Sequence, residues 1–266
     1  MSTRSTPWES GTPSWAGLTT SDPRAARGFY ADVLGWRIDE VGSEADGHAV
    51  CTRDGLGAAS IAPTVSPAQP TAWTTYLAVD DADKIADSIV THGGTVLLPP
   101  TTVGDEGRTA LALDPTGAVF GLWQAGRRIG AQVVNEAGAL TWNDHHSADP
   151  SAARAFYAKV FGYTYTPVNS LFDYATISGL GPGEAIGGIG SLDPELSAAG
   201  HAYWSVHFGV ADTDVAVTTA SALGGRVLAG PASSPAGRRA TLADPQGAVF
   251  KIIELGVGGA LPRRSS

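Results

Sequence analysis

The chain of 266 residues contains a single cysteine, Cys51, and a single methionine, which is its first residue. One cysteine excludes an intramolecular disulfide and a cluster of thiolate metal ligands, and it is consistent with a reducing compartment. No apolar run approaches the roughly 20 residues of a membrane-spanning helix, and the polar start does not resemble a secretory signal. We therefore expect a cytoplasmic protein that has no membrane partner.

Basic residues are also few, with 17 Lys and Arg against 26 Asp and Glu, which gives a net charge of −9. The lysines are Lys84, Lys159 and Lys251. Because the basic residues are scattered rather than gathered in a stripe, nucleic acid is not an expected partner. Hydrophobic residues make up 43% of the chain. At this length, that fraction is enough to build a packed core in each of two halves.

An internal repeat determines the domain organisation. Segment 21–36, SDPRAARGFYADVLGW, returns as ADPSAARAFYAKVFGY at 148–163. Two further pairs follow at a similar offset: GGTVLLPP (93–100) with GGRVLAGP (224–231), and DPTGAVFGLW (114–123) with DPQGAVFKII (244–253). Such self-similarity indicates two copies of one architecture.

The repeat places the boundaries of these copies. We predict a first domain over 13–126 and a second over 139–258, called here the first and second halves. A short surface linker is expected over 127–138, because this segment is rich in Gly and charged residues. Residues 1–12 and 259–266 are expected to be flexible tails.

One capped amphipathic helix is predicted near the start of each half. In the first half Asp22 is a suitable N-cap, Pro23 suits the first helical position and Gly35 suits the end. The apolar positions between them recur at helical spacing: Ala26, Phe29, Tyr30, Val33 and Leu34. The second half repeats the pattern from Asp149 to Gly162.

Short β-like runs flank each helix, so each unit has the order βαβββ. In the first unit the strands are predicted at 14–19, 36–41, 48–53 and 58–62. The second unit has a strand at 73–79, a helix near 81–92, and two last strands joined at the Asp-Pro-x-Gly turn of 114–117. Four such units in the chain predict an α+β fold with curled mixed sheets.

Tandem βαβββ units with these helix and turn motifs resemble the vicinal-oxygen-chelate superfamily of glyoxalase I, bleomycin-resistance proteins and extradiol dioxygenases. The resemblance covers nearly the whole chain except its tails. It implies two domains, each with a sheet curled around a cavity for a small molecule. Because the superfamily includes both enzymes and proteins that only bind antibiotics, membership alone does not select a function.

The resemblance also implies where a divalent metal ion would be held. The corresponding positions are Trp15, Thr74 and Gly121 in the first half and Trp142, Ser205 and Lys251 in the second. A further glutamate of the family has no match in 58–62 or 186–190. Indole, glycine and ammonium groups do not ligate such ions. We therefore expect neither a metal nor another cofactor, and no catalytic residue is assigned.

Strand alternation then predicts which side chains face each cavity. The predicted ligand-binding residues are Trp15, Tyr76, Trp123, Trp142, Asp144, His146, Ser205, His207 and Lys251. The first-half set is aromatic and small, which suits a flat apolar ligand, whereas the second-half set is polar. Simpler interpretations stay open: the tryptophans as core, the histidines as hydrogen-bonded core residues, and Lys251 with a buried stem.

Three hypotheses about function follow. The leading one is a metal-independent protein that sequesters a planar hydrophobic ligand, such as an aromatic antibiotic or a biosynthetic intermediate, for self-resistance or relief of product inhibition. The alternative is an enzyme of secondary metabolism that acts from the second cavity. It would be a lyase, isomerase or dioxygenase with a displaced metal, or a metal-free cyclase or hydrolase that uses His207, Asp144 and Lys251. The third is a structural tandem with filled cavities. A monomer or a homodimer is consistent with all three.

Overall fold

A computed structural model describes residues 2–40, 47–168, 173–179, 185–192, 200–234 and 236–256. The predicted tail at 259–266 lies outside the described residues. In the first half the strands and helices follow in the order β2 (Pro13–Thr20), α1 (Pro23–Leu34), β3 (Arg37–Glu40), β4 (Ala49–Arg53), β5 (Leu56–Pro63), β6 (Ala72–Ala78), α2 (Ala82–Thr91), β7 (Thr95–Val103), β8 (Gly107–Leu113) and β9 (Val119–Ala125).

The second half repeats this order. Its elements are β11 (Leu140–Ser147), α3 (Pro150–Phe161), β12 (Thr164–Pro167), β13 (Tyr174–Ser178), β14 (Gly187–Ser191), β15 (Tyr203–Val210), α4 (Thr213–Ala222), β16 (Arg226–Ser234), β17 (Gly237–Ala243) and β18 (Val249–Glu254). Two short strands lie outside this repeated order: β1 (Ser2–Thr3) before the first half and β10 (Val133–Val134) between the two halves. The predicted α+β fold of four βαβββ units is therefore confirmed.

The caps predicted from sequence set the ends of α1 and α3. The Asp22 side chain accepts a hydrogen bond from the Ala25 backbone N–H at 3.0 Å, and Gly35 ends the helix with φ of 68°. Asp149 and Gly162 do the same for α3, where φ of Gly162 is 71°. Glycine reaches this left-handed conformation at no steric cost.

Each half forms one mixed sheet whose centre is an antiparallel strand pair. The first sheet has the order β3-β4-β5-β2-β6-β9-β8-β7, and the second β12-β13-β14-β11-β15-β18-β17-β16. In the first sheet β2 runs parallel to β5 and β6 runs parallel to β9, while β2 and β6 are antiparallel. The middle four strands therefore carry the residues that face the concave side.

The predicted βαβββ order requires a strand between α2 and β8, but the sequence pattern did not locate β7. It contains Pro99 and Pro100, which cannot donate to a ladder and argue against a central strand. The structure places β7 at the outer end of its sheet, mostly exposed, with register shifts in its pairing to β8. An edge position with bulges is where a sheet tolerates proline.

The segments predicted as a flexible tail, 1–12, and as a surface linker, 127–138, contact each other in the structure. Strand β1 pairs with β10 inside the linker, and the Trp8 indole N–H donates to the Ala131 carbonyl at 3.0 Å. Ala131 and Val133 are buried. The two segments cover each other's backbone groups and apolar side chains, so they pack as part of the fold.

Both hydrophobic cores draw residues from both halves. One core surrounds α1 and includes Phe208 and Phe250 of the second half. The other surrounds α3 and includes Leu77 and Phe120 of the first half. Each core is therefore shared by the two halves, because the helices of one half pack on elements of the other. No helix in the described part of the chain has the length and apolar character that crossing a membrane requires.

Candidate functional site in the second half

The predicted aromatic face of the first half lies along one row of its sheet. Trp15 pairs with Tyr76 across β2 and β6, and Tyr76 pairs with Gly121 across β6 and β9. The Tyr76 ring lies over Gly121, where a Cβ atom would come within 2.1 Å of it, and against Gly17, where the distance would be 2.9 Å. Because neither glycine has a side chain, the Tyr76 ring can lie flat on the sheet. Burial raises the pKa of Tyr76 to about 12.

The linker closes over this aromatic row. The Arg128 guanidinium stands 5.8 Å from the centre of the Trp15 ring, and the Arg128 carbonyl accepts a hydrogen bond from the Trp123 indole at 2.8 Å. The Trp15 indole N–H donates to Ser60 Oγ at 2.9 Å. The linker thus contacts Trp15 and Trp123, two of the three aromatic residues that were predicted to bind a ligand in the first half.

An open cavity of about 290 Å³ remains beside the linker. Its lining includes Glu106, Arg127 and Arg128. Both arginines form ion pairs with Glu106, at 2.8 Å from Arg128 Nη2 to Glu106 Oε2. The cavity is therefore polar, with two guanidinium groups and one carboxylate in its lining, which does not favour a flat apolar ligand.

The second half places its predicted residues in three rows of the sheet, and the third row contains His146 opposite Tyr203. Trp142 pairs with His207 and His207 pairs with Lys251, while Asp144 pairs with Ser205 in the neighbouring row. The polar side chains are buried, with exposed fractions of 6–7%: Asp144, His146, Ser205, His207 and Lys251. Burying so many polar groups is costly unless they bind one another or a ligand.

Asp144 is the centre of this polar group. Its Oδ1 accepts hydrogen bonds from the Trp142 indole at 2.8 Å and from the Tyr174 hydroxyl at 2.7 Å. Its Oδ2 lies 3.1 Å from His207 Nε2. Burial acts to raise the pKa of Asp144, but the hydrogen bond and charge of His207, with the charges of His146 and Lys251, lower it below the ordinary value. Asp144 is therefore a carboxylate at neutral pH.

Tyr174 is the site residue that sequence reasoning missed. Its hydroxyl passes over Gly188, where a Cβ atom would come within 1.9 Å of the Tyr174 oxygen and 2.2 Å of Asp144 Oδ1. From the sequence, the run of small residues at 186–190 indicated only that a glutamate is missing. Glycines at these positions also leave space beside Asp144. That space could have indicated that a side chain from β13 crosses the glycines.

His207 has both of its site contacts at the same nitrogen. Nε2 lies 3.1 Å from Asp144 Oδ2 and 3.2 Å from Ser205 Oγ. A catalytic triad needs the serine and the carboxylate on opposite ring nitrogens, so these three residues do not form one. Burial lowers the pKa of His207, against the opposing effect of its hydrogen bond to Asp144. His207 is therefore neutral at pH 7.

His146 lies one pleat further along β11. Its ring stacks on Tyr203 with a centroid distance of 5.0 Å and an interplanar angle of 29°. Nδ1 lies 3.0 Å from the Ser191 carbonyl oxygen. Burial lowers the pKa of His146, although the charge of Asp144 acts to raise it.

Comparisons with known proteins agree with this geometry. The profile of the Glyoxalase/Bleomycin resistance protein/Dioxygenase superfamily matches residues 12–122, and a glyoxalase-like domain profile matches 128–253. CFP32 of Mycobacterium tuberculosis, a candidate glyoxylase by its name, is 40% identical over 93% of this chain and 96% of its own. The chain belongs to this superfamily.

Further proteins are similar to this chain in sequence or in fold. The anthracycline biosynthesis protein DnrV of Streptomyces peucetius is 34% identical, covering 93% of this chain and 94% of its own. The Mn(II)-bound glyoxalase of Novosphingobium aromaticivorans matches with a TM-score of 0.65 at 17% identity, over 93% of this chain and 84% of its own. The 2,3-dioxygenase LapB of Pseudomonas sp. KL28 has a TM-score of 0.62 at 15% identity, over 93% of each chain. At these identities the two structures show a shared fold.

The superfamily's metal does not fit the residues that this chain presents. At the corresponding positions the second half has the Trp142 indole, the Ser205 hydroxyl and the Lys251 ammonium, and an ammonium repels a cation. In the first half Gly121 is covered by the Tyr76 ring. Across the described ranges, no three His, Cys, Asp or Glu side chains are grouped so that they could hold a metal ion. The displaced site considered from sequence therefore lacks its ligands among these residues.

Proposed function

We propose that the protein is a metal-independent binding protein that holds a planar hydrophobic molecule on the concave face of its second half. The ligand would be an aromatic antibiotic or one of its biosynthetic intermediates, and binding would serve self-resistance or relief of product inhibition. Two relatives, DnrV and DauV, carry names that place them in anthracycline biosynthesis. In this role the protein would act in the cytoplasm.

The observation that carries the proposal is the set of rings around Asp144. Trp142, Tyr174 and Tyr203 are only half-buried, whereas aromatic residues of the two cores are almost fully buried. Half-buried rings beside buried polar groups offer flat apolar surface together with fixed hydrogen-bonding groups, and this is the usual composition of a small-molecule site. In the first half Tyr76 and Trp123 are half-buried too, but Tyr76 lies against Gly17 and Gly121 rather than beside buried polar groups, and the linker contacts Trp15 and Trp123.

A titration followed by tryptophan fluorescence tests the proposal. Polycyclic aromatic compounds should quench the wild-type protein in the micromolar range and should be recovered unchanged by chromatography. Trp142→Phe should lose much of the quenching, while the matched change Trp15→Phe in the first half should keep it. Failure of every such compound to bind in that range would remove the proposal.

A second candidate function is proton transfer by an enzyme of the same fold. The observation in its favour is the buried contact of 3.1 Å between Asp144 Oδ2 and His207 Nε2, a pair that could act as a general base. If a substrate is converted, His207→Gln should abolish turnover. If the wild-type protein releases the ligand chemically unchanged, the enzyme function is excluded and the binding function stands.

A further inference from the structure

His146 has one committed nitrogen and one uncommitted nitrogen. Nδ1 faces the Ser191 backbone carbonyl at 3.0 Å, and a carbonyl oxygen only accepts, so Nδ1 carries the proton. In a neutral imidazole the other nitrogen is then an acceptor. Nε2 is therefore a bare lone pair, and it is buried with no hydrogen-bond partner among the described residues.

The surroundings of His146 favour its neutral form. The ring is on the same face of β11 as Asp144, whose charge acts to raise the pKa of His146, while the charge of Lys251 acts to lower it. Tyr203 stacks on the ring. Burial is the largest influence and lowers the pKa of His146. At neutral pH the acceptor character of Nε2 is thus retained.

A buried acceptor without a partner costs about 1–3 kcal/mol, so its presence needs a reason. Both carboxylate oxygens of the neighbouring Asp144 already have partners. Asp144 Oδ1 accepts from both Trp142 and Tyr174, and Oδ2 is in contact with His207. His146 Nε2, in contrast, has no hydrogen-bond partner among the described residues, so it can accept a hydrogen bond from an incoming molecule.

We infer that His146 Nε2 accepts a hydrogen bond from a hydroxyl group of the ligand. The site thereby selects planar aromatic molecules that carry a free phenolic or enolic hydroxyl over molecules of the same shape in which that oxygen is alkylated. The inference rests on the proposed function, because it assigns the ligand class of the same site. His146 is in this sense a specificity-determining residue.

A pair of probes tests this on the wild-type protein: β-hydroxyanthraquinone and its methyl ether, which have the same ring system and differ in one donor. Calorimetric titration near pH 7 should give a dissociation constant about tenfold lower for the hydroxyl form, because the ether leaves Nε2 unpaired. His146→Phe keeps a flat ring for Tyr203 and removes the acceptor, so it should bring the two constants within about twofold. His146→Gln offers an amide oxygen and should restore part of the preference. His48→Phe, at an exposed histidine of the first half, is the matched control and should behave as wild type.

Each outcome decides the inference. Equal binding of the two probes by the wild-type protein would overturn it while the proposed function stands. A preference that survives in His146→Phe would also overturn it and assign the hydroxyl to another group. If neither probe binds, the inference and the proposed binding of planar aromatic ligands fail together.

Discussion

The hydroxyl of Tyr30 donates a hydrogen bond of 3.0 Å to Asp244, a residue 214 positions further along the chain. The Trp73 indole in turn donates to the Tyr30 oxygen at 2.9 Å. A mirrored set joins the halves in the opposite sense: Tyr157 donates to Asp114 at 3.1 Å and Trp204 donates to Tyr157 at 2.7 Å. Two buried sets of hydrogen bonds therefore lock each half to the last turn of the other.

The two sets differ at one position. His145 Nε2 lies 2.7 Å from Asp114 Oδ2, whereas the repeat places apolar Leu18 opposite Asp244. Burial acts to raise the pKa of both carboxyls, but the hydrogen bond and charge of His145 lower the pKa of Asp114 below the ordinary value. The pKa of Asp244 stays raised, because its backbone and Tyr30 hydrogen bonds do not offset burial.

The first prediction follows from this difference. Asp114→Asn should lower the free energy of unfolding at pH 7 by about 2 kcal/mol, because it removes the charged partner of His145. Asp244→Asn should cost clearly less, because it removes a carboxylate whose ionised form burial disfavours. Denaturant unfolding of the two matched variants measures both. Equal losses would contradict the assignment of different charge environments.

The pH dependence of these variants has a definite sign. A lowered pKa means that ionised Asp114 stabilises the fold above the unfolded value near 4, and that this contribution is lost as the pH falls through the folded value. The gap between wild type and Asp114→Asn should therefore narrow in acid. For Asp244 the raised pKa has the opposite effect, so its stabilising contribution is lost as the pH rises through the folded value.

The second prediction concerns Tyr76. Gly121→Ala would place a Cβ atom within 2.1 Å of the Tyr76 ring, so the ring must leave the sheet. We expect a loss of about 1–3 kcal/mol in the free energy of unfolding, as for other overpacked sites. Ligand binding by the second half should be unchanged. The control is Gly28→Ala in α1, which meets nothing within 4 Å and should stabilise the helix by about 0.5–1 kcal/mol.

The third prediction concerns Tyr174. Gly188→Ala would bring a methyl group within 1.9 Å of the Tyr174 oxygen and 2.2 Å of Asp144 Oδ1, which separates the pair. The affinity for polycyclic aromatic ligands should fall by about tenfold or more, measured by calorimetry. Tyr174→Phe keeps the ring and removes only the hydrogen bond, so it should lose less. Unaltered affinity in Gly188→Ala would place the ligand elsewhere.

Much of the fold was predictable because its signals are local. Asp22 and Gly35 cap a helix through interactions within a few residues, and the alternation along β11 is enough to predict that Trp142, Asp144 and His146 share one face. The part of the fold that the sequence does not predict depends on contacts between residues that are far apart in the sequence. The sequence pattern marks Asp114 only as a turn residue, yet the same carboxylate also accepts a hydrogen bond from Tyr157.

The site shows the same division. The row of Trp142, His207 and Lys251 follows from pairing rules, whereas the closing of the linker over Trp15 does not. An aromatic residue at an inward position has the same sequence signal whether it contacts a ligand or its own chain. In the first half the rings contact their own chain: Arg128 lies over Trp15, and Tyr76 lies against Gly17 and Gly121. These contacts depend on three-dimensional packing and have no local sequence signal.

The fourth prediction is the pH dependence of ligand binding. Because the pKa of His146 is lowered, Nε2 stays unprotonated at and above the unfolded value of about 6.5 and gains a proton only in more acidic solution. The affinity for β-hydroxyanthraquinone should be constant from pH 7 down to about 6.5 and then decline in acid. His146→Phe should not show this decline. A decline of the same size in the variant would shift the cause to Asp144, His207, Lys251 or Tyr203.

The fifth prediction concerns divalent metal ions. Because Trp142, Ser205 and Lys251 do not ligate such ions, treatment with a chelator should leave both the affinity for aromatic ligands and the unfolding temperature unchanged. Elemental analysis of the purified protein should find no stoichiometric iron, manganese, nickel or zinc. A stoichiometric metal whose removal abolishes binding would require an enzyme mechanism to be considered first.

The most direct measurement is a crystal structure of the protein with β-hydroxyanthraquinone bound. We expect one planar ligand per chain against Trp142 and Tyr174, with its hydroxyl oxygen in hydrogen-bonding distance of His146 Nε2. The aromatic row of Trp15 and Tyr76 should stay covered by the linker. A ligand stacked on Trp15, or a metal ion coordinated on the concave face of either half, would contradict it.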